Sequence, residues 1–398
     1  MGPPLHFFTR CPRGPRQQCF FPFALEVTVY TFLRNIALST AALALLNASA
    51  IGQQYNQINL VANTSGVAPT TDASLVNPWG LSRGSNTPWW VSDNATGLST
   101  LYSGTGTKQG LIVTIPAAKS GGAGTPTGTV FNGSKTDFLL TPTTPALFLF
   151  STLDGLIVGW SPTTGAMSVA MGKNGSAYTG LTSAVINGKQ RLYAANFALG
   201  RVDVYDNAFH AIPRTFGAFE DLWLPWGYVP FNVQAIGDDI VVTYALHQGD
   251  NPHETDGPGL GFVDVYSATG TLLQRLEHGD WLNAPWGVAL APLDFGAFSH
   301  DLLIAQFAGG GTTESSGYIA AYDLATGHFK GLLQDANGSP LAINGIWAIS
   351  PGNSGSNFDP AGAPSAELYF TAGPNHGTGG LFGYLTAVSA DLIRGNAQ

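Results

Sequence analysis

The chain has 398 residues, of which only 10% are charged, with 16 Lys and Arg against 25 Asp and Glu and a formal net charge of −9. An acidic, Lys-poor surface argues against nucleic acid or an anionic membrane as the partner. The 51 glycines suit a protein of many tight turns, and the length beyond the N-terminal segment is ample for one large domain.

Residues 1–50 read as a secretory signal peptide with an upstream extension. Arg34 precedes an apolar run, Ile36 to Leu46, and then Ala48-Ser49-Ala50, the small-x-small pattern before a signal-peptidase cut. The run is too short to span a bilayer, so no stable membrane anchor is expected after cleavage near Ile51. The segment before Tyr30 does not suit a signal sequence and reads as lying upstream of the true start. Cys11 and Cys19 are the only cysteines, so the cleaved chain holds no disulfide. That chain, 51–398, carries 12 basic and 24 acidic residues, a net of −12. It is expected to be secreted or periplasmic, and a monomer.

From Leu75 the chain repeats one unit. WGLSRG, TPWWVSDNA, GLSTLY and QGLIVTI are four short apolar segments separated by Gly, Asn, Asp, Ser or Pro, which reads as antiparallel sheet. Further copies run from Pro126 to Met171, Gly180 to Asp206, Pro230 to Leu276, Ala284 to Leu333 and Ile343 to Leu385. The fourth strand of the third copy is expected near Ile212 to Phe216, and the last copy lacks one. Four strands at a period of roughly 40 to 50 residues predict an all-β fold, a six-bladed β-propeller of four-stranded antiparallel blades. The orphan segment Tyr55 to Ala62 is expected to complete the last blade and close the ring. Seven blades are the alternative, should Asn207 to Trp226 hide another small sheet. An aromatic near the end of each third strand (Tyr102, Trp160, Tyr205, Tyr266, Tyr322, Tyr384) is expected to pack between blades, and Trp79, Trp286 and Trp347 to be core near the inner strands.

NLVAN, LVNPWGL, WWVSDNATGLSTLYSGTG and GTPTGTVFN between Asn59 and Asn132, with LYAANF, GRVDVYD, GPGLGFVDVY, APWGVALAP and LYFTAGP further on, resemble a family of uncharacterised exported bacterial propeller proteins. The resemblance covers nearly all of 51–398 and implies the fold without an activity. Many members carry a C-terminal Pro-Glu-Pro sorting tail; this chain ends DLIRGNAQ, which implies release. More distantly the repeats are similar to NHL and gluconolactonase-like propellers.

Starts of first strands and ends of second strands open on one face of such a ring. Those positions are Asn77, Asp93, Asn94, Asp154, Asn196, Asn232, Gln306, Asn344 and Asn375. The channel mouth formed by Asn77, Asp93, Asn94, Asn196, Asn232 and Asn344 is one expected ligand site, and Asp93, Asn196 and Asn232 would offer oxygens to calcium or another divalent cation. The competing reading is that Asn and Asp simply favour turns. A second candidate is the insertion Leu246 to Gly261, where His247, Asp250, His253, Glu254 and Asp256 could meet on one metal, or form only an exposed polar loop. No G-x-S-x-G elbow, H-E-x-x-H helix or phosphate-cradling loop occurs. Two functions follow as expectations. The first is a binding or scaffolding propeller that presents its top face to a protein, glycan or small molecule. The alternative is a metal-dependent hydrolase or lactonase working at the channel.

Overall fold

The computed structural model describes residues 53–249, 253–308, 316–352 and 366–388. The expected signal peptide, both cysteines, Asp250 and the C-terminal DLIRGNAQ lie outside the described residues. Six antiparallel sheets follow one another, and each inner strand packs against the next, with the sixth returning to the first. This is the six-bladed β-propeller that the repeats predict. Among the described residues the one complete helical turn is Gly296–Phe298.

Blade one comprises Pro78–Ser82, Trp89–Asp93, Leu98–Tyr102 and Lys108–Thr114. Its second strand shows why these segments are strands: the side-chain period of two sends consecutive tryptophans to opposite faces, and both faces are interior. Trp89 meets Tyr369 of blade six at 4.7 Å, while Trp90 stacks on Phe148 of blade two at 4.1 Å. Blade two is Pro126–Phe131, Phe148–Thr152, Leu156–Ser161 and Gly165–Met171. Blade four is Tyr228–Ile236, Asp239–Leu246, Gly261–Ser267 and Leu272–Arg275. Blade five is Pro285–Leu290, Leu302–Gln306, Ile319–Tyr322 and Phe329–Leu332. Blade six is Ile346–Pro351, Glu367–Ala372 and Leu381–Ala387, and Tyr55–Ala62 pairs antiparallel with the last of these, from Tyr55 opposite Ala387 to Ala62 opposite Leu381.

Blade three departs from the expectation. It has three strands, Tyr178–Ile186, Lys189–Asn196 and Arg201–Tyr205. In place of a fourth strand near Ile212 to Phe216 there is a single bridge, Tyr205 to Ala211, with Ile212 N–H donating to Val204 O at 2.8 Å. Pro213 then brings no N–H, and the chain leaves the sheet. Residues 207–227 form no further strand, so the count is six and not seven.

The third-strand aromatics are the expected seam residues. Tyr102, Trp160, Tyr205, Tyr266 and Tyr322 are buried, and Tyr384 is half-buried against Tyr369 at 5.4 Å. Their hydroxyls are satisfied in place, as at the 2.6 Å contacts Tyr178–Tyr205 and Tyr244–Tyr266.

Candidate functional site

The axis of the ring is filled. Every inner strand carries a register shift near its start, between Pro78 and Leu81 in blade one, Pro230 and Asn232 in blade four, and Pro285 and Gly287 in blade five. The bulge turns one side chain toward the centre. Trp79 of blade one stacks on Trp347 of blade six at 3.7 Å, and Trp286 of blade five meets both edge-on at 6.1 and 5.7 Å. Phe231 of blade four lies 6.0 Å from Trp347, and Trp286 Nε1 donates to Thr179 O of blade three at 2.9 Å. Blades one and five, four and six, and three and five are not neighbours, so these contacts cross the centre. The next residue is glycine in four blades, because a Cβ would strike the adjoining inner strand. At Gly180 it would lie 1.9 Å from Asn232 Oδ1, and at Gly80 2.3 Å from Thr127 O.

The polar residues expected at the channel mouth are bonded mainly into the seams. Asn77 Oδ1 accepts from Trp347 Nε1 at 3.0 Å, and Asn94 Nδ2 donates to Pro126 O of blade two at 3.2 Å. Asn196 Nδ2 donates to Asp203 Oδ2 at 2.7 Å and Ser176 Oγ at 2.9 Å, while its Oδ1 accepts from the Ala177 and Leu199 amides. Asn232 Nδ2 donates to Trp286 O of blade five at 2.7 Å. Asn344 pairs by its backbone with Ser316, and Asn375 occupies a turn at φ 56°. Gln306 Oε1 accepts from Asn283 N, and Asp154 accepts from Ala118 N. No hydrogen bond joins any two of Asp93, Asn196 and Asn232 among the described residues.

Asp93 stands apart. It is wholly buried beside Thr100, and neither carboxylate oxygen has a well-formed hydrogen bond. Burial pushes its pKa well up, with the charge of Asp72 adding, so the neutral acid is favoured. Asp72 is the opposite case: burial is outweighed by Lys108 Nζ and Tyr102 Oη, each 2.7 Å from the carboxylate, and its pKa falls.

In the blade-four insertion, Thr255 N–H donates to Leu246 O at 2.7 Å, folding the loop back on its strand. His247 packs on Phe197 at 4.9 Å, and His253 is exposed. Burial raises half-buried Glu254 to about 7, with Asp256 contributing. Among the described residues no group of three or more His, Cys, Asp or Glu converges.

The site that sequence reasoning missed is the excursion between blades three and four. Two anchors hold it. Phe219 N–H donates to Gly270 O at 2.9 Å while its ring packs on Tyr193 and Tyr266; Asp221 is bound by Arg275, whose Nε also donates to Asp264 Oδ1 at 3.0 Å. Burial lifts Asp264 to about 6 against the pull of Arg275. Between and beyond these anchors, Phe216, Leu222, Trp223 and Trp226 are 97, 85, 86 and 94% exposed, more than any other large apolar side chain described. Clefts of about 330 and 590 Å³ flank them, one along the outer edge of blade three and one toward His247 and Tyr244. The signal was present in GAFEDLWLPWGY, whose aromatics follow no period of two.

These features define a six-bladed β-propeller with a side-chain-filled axis and its most exposed apolar surface at blades three and four. No family model matches the chain. It is 27% identical over 337 residues to the uncharacterised protein R648 of Acanthamoeba polyphaga mimivirus, covering 81% of this chain and 78% of that one. It is 30% identical over 206 residues to the uncharacterised protein R640 of the same virus, covering 51% of this chain and 37% of that one. These relatives are viral, where the sequence motifs pointed to bacterial ones. Similar solved structures include virginiamycin B lyase from Staphylococcus aureus (TM-score 0.45, 10% identity, 84% of this chain and 99% of that one). Another is a gluconolactonase from Xanthomonas campestris (TM-score 0.38, 14% identity, 81% and 99%).

Proposed function

We propose that this propeller is a binding module that recognises a partner protein through the excursion 207–227. The observation that carries the reading is the near-complete exposure of Phe216, Leu222, Trp223 and Trp226 on a loop anchored at Phe219 and Asp221. Exposed apolar side chains are tolerated singly, whereas four along one short anchored segment mark a contact surface. Tryptophan is among the residues enriched at protein-binding hot spots. Covering about half of one such tryptophan stabilises a complex by roughly 2–3 kcal/mol.

The test is selection of a displayed protein library on the parent, with Trp223→Ser/Trp226→Ser as the comparison. Because both side chains are exposed, the variant melts like the parent, and the selected binders lose at least about tenfold in affinity, or 1.4 kcal/mol. Binders that hold both proteins equally overturn the reading. So does tryptophan-dependent binding to phosphatidylcholine vesicles with no protein binder recovered.

A further inference from the structure

Three charged side chains tie the excursion to blade four. Arg275, at the end of the fourth strand Leu272–Arg275, donates through Nη2 to Asp221 of the excursion and through Nε to Asp264 Oδ1 at 3.0 Å. The side chains of Asp221 and Asp264 are 2 and 0% exposed, that of Arg275 26%. Two carboxylates therefore share one guanidinium out of water, and one negative charge is left over. Like charges in such a place are relieved by binding a proton. The same cluster grips the backbone of Trp223 twice: Asp221 Oδ1 accepts from its N–H at 2.8 Å, and Arg275 Nη1 donates to its C=O at 3.4 Å.

Asp264 is the member placed to take the proton. Facing it are Arg275 from the fourth strand, Asp221 from the excursion, and Tyr266 on its own strand, whose Oη donates to Asp264 Oδ2 at 3.3 Å. Tyr244 from the second strand lies 2.6 Å from that hydroxyl, and Tyr193 of blade three shares their apolar cluster. Burial raises the pKa of all three tyrosines, so they stay neutral. Burial also lifts Asp264 to about 6 against the pull of Arg275, and the charge of Asp221 adds to the rise. That last contribution exists only while the excursion is docked. Linkage is reciprocal: if docked Asp221 strengthens proton binding at Asp264, the bound proton strengthens the docking of Asp221. The gain is complete below the pKa that Asp264 has with the excursion undocked, and is lost as pH rises through about 6.

We propose that Asp221, Arg275 and Asp264 form a proton-operated latch on the excursion. With a proton on Asp264, the charge of Arg275 is met by Asp221 alone and Trp223 is held in place for its partner. Without it the two carboxylates compete for one guanidinium, and the segment loosens. The latch rests on the binding reading above and names how that surface is regulated.

The experiment follows hydrogen exchange of residues 207–227 in the whole protein at about pH 5 and about pH 7.5, each rate divided by its intrinsic value at that pH. Each pKa unit by which docking shifts Asp264 is a tenfold change in the docking equilibrium, and at least about threefold more protection around Trp223 is expected at the lower pH. Asp264→Asn, uncharged throughout, should be protected to the acidic level at both pH values, and Asp221→Asn poorly protected at both. Should Asp264→Asn fold poorly, a carboxylate NMR titration of the parent and Asp221→Asn decides: the Asp264 midpoint, about 6 in the parent, should fall in the variant. Equal protection at the two pH values overturns the latch, as does an unmoved midpoint. So does a pH effect that survives in Asp264→Asn, which titration of His210, His247 or Glu254 would give. No partner enters either measurement, so these outcomes leave the binding reading standing, whereas binders that ignore Trp223→Ser/Trp226→Ser overturn that reading and leave the latch.

Discussion

Trp347→Ala tests whether the axis is a dry, packed centre. Trp347 is 2% exposed, stacked between Trp79 at 3.7 Å and Phe307 at 4.1 Å, and its Nε1 donates to Asn77 Oδ1 at 3.0 Å. A buried tryptophan removes about 150–250 Å² from water, worth roughly 4–6 kcal/mol at about 25 cal/mol per Å², an upper bound since the unfolded chain already hides some of that area. Measured truncations of this kind cost about 3–5 kcal/mol. The expectation is therefore a loss of about 4 kcal/mol, read as a lower urea midpoint at unchanged slope. Trp347→Phe keeps a stacked ring and should cost less than half as much. Because the cavity would be lined by Trp79, Trp286, Phe231 and Phe307, indole added to Trp347→Ala should recover part of the midpoint. A loss below about 1.5 kcal/mol with no effect of indole would show that the centre is not packed as described, since exposed or collapsible sites give values of that size.

Three further outcomes are expected. Gly180→Ala places a Cβ 1.9 Å from Asn232 Oδ1 and should cost about 2–3 kcal/mol in urea unfolding, with part of it recovered in Gly180→Ala/Asn232→Ala; strictly additive losses would contradict the clash. Folded Asp93 keeps its proton to higher pH than the unfolded chain, whose value is near 3.8, so its contribution is fully present below that pH and declines above it by about 1.4 kcal/mol per pH unit until the folded pKa is reached. Asp93→Asn should remove that slope, and parallel stability profiles for parent and variant would refute it. Deleting Tyr55–Ala62 exposes the outer edge of Leu381–Ala387 and should yield a less stable, aggregating protein, checked by melting and light scattering; a monomer that melts like the parent would require another way of covering that edge.

Short apolar segments such as Trp-Trp-Val-Ser, with Gly and Asn between them, located most strands to within a residue or two, because both faces of a blade's inner strands are interior while only its fourth strand meets solvent. What the pattern did not carry was the phase shift at the inner-strand bulges, which swings Trp79, Trp286 and Trp347 onto the axis. Nor did it carry lateral direction. Asp93 and Asn196 end their strands where a channel mouth would lie, yet Asp93 is wholly buried and Asn196 is bonded within its own blade to Ser176 and Asp203. Trp223 and Trp226 were invisible as a surface for the opposite reason: aromatic side chains read as core unless neighbouring elements are known to leave them uncovered.

The pairing of Tyr55–Ala62 with Leu381–Ala387 also sets an order of events. The strand made first is used last: the bonded pair Asn63 and Gly380 are 317 positions apart. Bringing such ends together costs on the order of 5 kcal/mol in chain entropy, so the ring is completed only after nearly all of the chain has left the ribosome, and slowly. Until then the first strand is a free β segment and blade six an empty acceptor. The acceptor does not distinguish its own strand from that of a second copy, so refolding at high concentration should give strand-exchanged dimers and dilution the monomer.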